Sequence, residues 1–154
     1  MIPAATPLPA HDERGQVGGI EGLVFGVLVF VFGTLIVVNA WGVIDAKLAT
    51  TSAAREAART YVEAPSEAAA GPAALDSARQ AIIAHGRRWE RTRVTSPDAG
   101  FHRCERVTIE VAYEVPLIAI PIIGQAGKGI TVTSRHSEIV DPYRSGLGGA
   151  AACP

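Results

Sequence analysis

No charged side chain occurs between Glu21 and Asp45, no glycine or proline between Asp45 and Ala64, and only two cysteines in the whole chain. The first absence leaves 23 consecutive apolar or small positions, interrupted only by Thr34 and Asn39. The second removes any helix stop before Pro65. The third leaves one bridge, Cys104–Cys153, which can form if that part of the chain is exported but is not established by two thiols alone. Also missing are CxxC, HxxxH and GxSxG patterns, a P-loop and a dinucleotide glycine motif. The net charge of −1 gives no global field for nucleic acid, and no nucleic-acid partner is expected.

The uncharged run sets the class. At about 1.5 Å per residue a helix of that length reaches roughly 34 Å, against a hydrocarbon core of about 30 Å. A cleaved signal peptide would have an apolar region of about 7–15 residues behind a positive segment. Here the run is longer, and Arg14 is offset by Asp12 and Glu13. The run predicts a transmembrane helix over 20–44. Gly18, Gly22 and Gly26 recur every four residues, with Gly33 and Ala40 following at sevens. That places a narrow, smooth face along the helix on which a second helix can pack closely.

Residues 1–19 read as a disordered lead. Beyond the span, Ala46, Ala49, Ala53, Ala57 and Tyr61 fall at helical spacing, so 45–64 is predicted to continue the helix as an amphipathic segment. Pro65 and Gly71-Pro72 mark a linker. A second helix follows, with Leu75, Ala78, Ile82 and Trp89 expected on one face. Then the period changes to two: Val107, Ile109, Val111, Tyr113 and Val115 alternate with Thr108, Glu110, Ala112 and Glu114. "LIAIPIIGQAGKG" is an apolar connector, and "ITVTSRHSEIV" a further strand, weaker after Ser134. A short strand is expected around Arg93–Thr95. The fold class is α+β, with a head over 73–141, a flexible tail over 142–154, and a small antiparallel sheet receiving the alanine stripe.

Few residues invite chemistry. His102-Arg103-Cys104-Glu105 resembles a ligand cluster but lacks the three or four ligands at usable spacing that a metal needs. His85 and His136 have no legible partner for nucleophilic catalysis. The basic run His85–Arg93 is interrupted by Glu90 and reads as a solvated helix end, or as a contact with a neighbour or lipid headgroups. The chain is expected to be non-catalytic, with no cofactor and no metal. Glu21 stands apart. At the edge of hydrocarbon a carboxylate either snorkels to water or marks a functional contact, for which an α-amino group is a suitable partner.

The segment "ERGQVGGIEGLVFGVLVFVFGTLIVVNAWGVIDAKLATTSAAREAART" resembles the N-terminal region of TadE-like proteins, pilin-related minor components of tight-adherence (Flp-type) pilus systems. The strand, connector and strand in "VTIEVAYEVPLIAIPIIGQAGKGITVTSRHS" are similar to the family's C-terminal half, so the resemblance covers Glu13 to about Asp141. It implies a single-pass membrane protein with a cytoplasmic N-terminus and an extracytoplasmic head, packing with other pilins or pilus-assembly proteins. It also implies processing by a prepilin peptidase after a glycine. Cutting after Gly15 would put Glu21 at the sixth position, where the family has its Glu at the fifth. Charge alone favours the opposite orientation, since Arg14 precedes the span while Lys47, Arg55 and Arg59 follow it. The expected assembly residues are Glu21, Gly18, Gly22 and Gly26. The alternative reading is a signal-anchored extracytoplasmic binding domain unrelated to pili; a membrane-tethered enzyme ranks third.

Overall fold

The computed structural model describes residues 18–95, 100–118, 129–149 and 152–153. In chain order they form helix α1 (Gly18–Glu63), helix α2 (Glu67–Ala84), a single 3-10 turn (Trp89–Arg91), and strands β1 (Thr92–Thr95), β2 (Arg106–Val115) and β3 (Ile130–Ile139). The arrangement is α+β. The chain divides into two compact units, residues 1–37 and 38–154. The first contains the N-terminal half of α1, whose residues 19–31 are all exposed.

The second unit holds the core. Its sheet is antiparallel throughout, in the order β1-β2-β3. β2 lies in the centre and buries Val107, Ile109, Val111, Tyr113 and Val115 on one face. Because side chains alternate along a strand, one apolar face follows directly from the period of two. The C-terminal half of α1 packs Ala49, Ala53, Ala54, Ala57, Ala58 and Tyr61 in one cluster with Val107, Ile109 and Val111, and Ala46 in a second with Tyr113, Val115 and Val132. Alanine carries no side-chain entropy and favours helix, so the stripe costs little to order and presents a flat surface. One hydroxyl is buried within it: Thr50 lies 2.8 Å from the Ser134 hydroxyl of β3 and also donates to the Lys47 carbonyl.

α2 begins earlier than the linker signals suggest. It starts behind Ser66 and runs through Pro72, which has no N–H to give to the carbonyl one turn back. Its buried face is Ala70, Ala74, Ala78 and Ile82, while Leu75 is 47% exposed and Trp89 lies in the separate 3-10 turn. Ala78 and Ile82 are buried as expected, and Ala74 takes the place expected of Leu75. The helix ends at Gly86, with φ +68°. The Gly86 N–H donates to the Ile83 carbonyl and the Arg87 N–H to the Ile82 carbonyl, the paired bonds of a glycine-terminated helix end.

β3 also differs from expectation, pairing with β2 through its whole length, from Val115↔Ile130 to Arg106↔Ile139. Its inward positions after Ser134 are His136 and Glu138, whose side chains bond to each other at 3.0 Å. Polar residues on the inner face hid the alternation.

The described part of the tail is tied down rather than free. Cys153 is bridged to Cys104, the Arg103 N–H donates to the Gly148 carbonyl, and Leu147 packs on the core. Arg144 reaches back to the end of α1, donating to the Val62 carbonyl at 2.6 Å and to the Ala64 carbonyl. Its guanidinium also lies 5.3 Å from the Phe101 ring centroid, and Phe101 packs edge-on against Tyr61. A cation placed on the last carbonyls of a helix opposes the negative end of its dipole and satisfies acceptors that the helix leaves open.

Candidate functional site

Two features of the described residues invite a functional reading: the exposed N-terminal half of α1 and the polar surface of the head. The first is built almost wholly of apolar side chains, most of them exposed. Ile20 is 75% exposed, Phe25 69% and Phe30 73%, an arrangement that a soluble protein would bury. This helix is long and apolar enough to cross a membrane. Thr34, its first polar interruption, donates its hydroxyl to the Phe30 carbonyl at 2.8 Å, so it brings no open donor into the run.

Glu21 lies in the first turn of α1. A carboxylate there is favoured by the unpaired amides and positive dipole end, whatever else it does. Gly22, Gly26 and Gly33 follow, and a Cβ built on any of them meets nothing within 4 Å. Packing within the chain therefore does not require glycine at these positions. Gly18 opens the helix. Gly15 lies outside the described residues, as does most of the expected lead and the connector from 119 to 128.

The head offers structure more than chemistry. Arg87, first of the basic run, pairs with Asp45 of α1 and stacks 5.9 Å from the Tyr113 ring centroid. Lys47 donates to the Thr133 carbonyl. These contacts tie α1 to both α2's end and β3. The cluster at 102–105 is dispersed: Cys104 is consumed by the disulfide, with φ +62°, and His102 is exposed. His85 caps the end of α2 and His136 is engaged by Glu138. Among the described residues no group of three or more His, Cys, Asp or Glu side chains is placed to hold a metal ion. A shallow polar cleft is lined by Glu90, Arg91, Arg93, Ala112, Glu114 and Thr131.

Of the expected residues, the structure places Glu21, Gly22 and Gly26 along one open stretch of helix and bonds Cys104 to Cys153. The roles of Arg144 and Asn39 were not read from the sequence. Arg144 gives no local signal, being about 80 residues from the carbonyls it bonds. Asn39 does give one, as the second polar interruption of the uncharged run. Comparison with protein-family models, with curated proteins and with solved structures finds no match.

Proposed function

We propose that the protein is a non-catalytic, single-pass membrane subunit of a tight-adherence or type IV-like pilus system, a minor pilin or an assembly component. The observation that carries the reading is α1 itself. One continuous helix is exposed and apolar over its first half and core-forming over its second, with a single carboxylate, Glu21, in its first turn. The resemblance of the 13–60 region and of the later strands to TadE-like proteins supplies the functional context.

In this reading the first half of α1 crosses the membrane, and the head lies on the extracytoplasmic side. The Cys104–Cys153 bridge supports that side, because disulfides persist in oxidising compartments. The open Gly22–Gly26–Gly33 stretch admits a neighbouring helix, since backbones approach closely where side chains are small. Glu21 then selects the neighbour: in an apolar setting a carboxylate needs a cationic partner, such as an α-amino group, and a helix without one is rejected.

The test separates this from a solvated carboxylate. Glu21→Gln keeps size and polarity but removes the charge. Insertion and folding should be unchanged, while co-purification with the filament or assembly platform at matched expression should fall. Glu21→Asp should fall less. Full incorporation of the Gln variant would overturn the role of Glu21.

A further inference from the structure

We infer that the end of β2 and the residues after it, Pro116–Ile118, sit in the membrane leaflet on the head's side, beside the Asn39 turn of α1. The head would then be held to the bilayer at a second point besides its helix. The inference rests on the proposed membrane span.

The central observation is a reciprocal pair of hydrogen bonds. The Ile118 N–H donates to Asn39 Oδ1 at 2.9 Å, and Asn39 Nδ2 donates to the Ile118 carbonyl at 3.4 Å. One side-chain amide thus serves both backbone polar groups of residue 118. The ladder with β3 stops at Val115, so among the described residues those groups have no strand partner. In water they need none. In hydrocarbon each unmet group costs several kcal/mol, so backbone outside a helix is tolerated only where protein satisfies it. Pro116, lacking an N–H, leaves one donor fewer to satisfy.

The position of Asn39 gives the depth. It lies inside the uncharged run, six residues before Asp45, or about 9 Å along the helix. The charges that mark the water side are Asp45 with Arg87, and Lys47 on Thr133. Glu114, on the opposite face of β2 from Val115, limits how far the strand end can enter. Between these limits Leu117 is 40% exposed, Ile118 52% and Ile130 45%, and Trp41, two residues beyond Asn39 on α1, is 71% exposed. An indole there suits the membrane interface. Among the described residues this surface meets the exposed apolar side chains of Val38, Trp41 and Ile44 in the same unit without a charged break, so lipid is its occupant.

The test uses the full chain with its disulfide intact, in vesicles of phosphatidylcholine and phosphatidylglycerol. A fluorophore is attached in turn at Val38→Cys, Leu117→Cys, Ile118→Cys and Tyr143→Cys. Spin-labelled acyl chains should quench the first three and spare the fourth, with aqueous iodide giving the reverse. Adding Asn39→Leu should abolish lipid quenching at 117 and leave it at 38; persistence at 117 would overturn the part given to Asn39. Lipid quenching at 38 with iodide quenching at 117 and 118 would overturn the inference and leave the span standing. Iodide quenching at all four positions would overturn the span and the inference together.

Discussion

Alanine at positions 49, 53 and 57 leaves no room at the surface where α1 meets the head, each being fully buried. Ala53→Leu adds volume to a filled site and should cost about 1–3 kcal/mol, read as a lowered midpoint in chemical denaturation of the detergent-solubilised chain. Leu75→Ala, on the exposed side of α2, should change stability by no more than about 0.5 kcal/mol. Tyr61 gives a pH signature. Burial, and then the nearby Glu67 charge, raise its phenol above the ordinary value of 10.0. The unfolded phenol ionises first, so this contribution is fully present below pH 10 and is lost as pH climbs through the folded value. Alkaline destabilisation above that point should be smaller in Tyr61→Phe, as a pH series of thermal midpoints will show. The alanine stripe was legible because every member obeys the helical period. The buried face of α2 was legible at Ala78 and Ile82 but not at its start, because Leu75 outweighs Ala74 in any apolar count while the turn geometry puts the smaller residue inside.

At the scale of elements, the first half of α1 declared itself by its uncharged run and its second half and β2 by period, and the sheet's need for a cover explained why an amphipathic extension should follow a span. β3 was only half legible. His136 and Glu138 occupy inward positions and satisfy one another, so polarity there reflects pairing and not exposure. Glycine and alanine suggested freedom in the tail, whereas its described residues make contacts distant in sequence, which no local pattern announces. Two predictions belong here. Arg144→Ala removes donors from the carbonyls ending α1 and should cost about 1–2 kcal/mol, measured by denaturation. Reduction of Cys104–Cys153 opens a loop with a sequence separation of 49, worth about 4 kcal/mol in the chain-entropy model. The reduced protein should melt lower and release its last ten residues to protease first, as peptide mapping will record.

For the whole molecule, physics and resemblance contribute differently. An uncharged run of 23 residues makes the first half of α1 long and apolar enough to cross a membrane, and the remainder packs as an α+β unit. Neither states on which side of a membrane the head lies. The charge asymmetry of Arg14 against Lys47, Arg55 and Arg59 favours one side by the positive-inside tendency, while the resemblance and the disulfide favour the other. Within the head, Lys47 is already committed to the Thr133 carbonyl and Arg59 to Glu63 at 3.0 Å, so these cations are part of a folded domain and not of a short loop. Long folded domains translocate largely regardless of charge. The measurement that decides is labelling of Tyr143→Cys, 85% exposed in the structure, by a membrane-impermeant maleimide with the native disulfide left intact. The account predicts full labelling in intact cells, unchanged on lysis. Labelling that appears only after lysis, with the same site reactive in the purified folded protein, would contradict it.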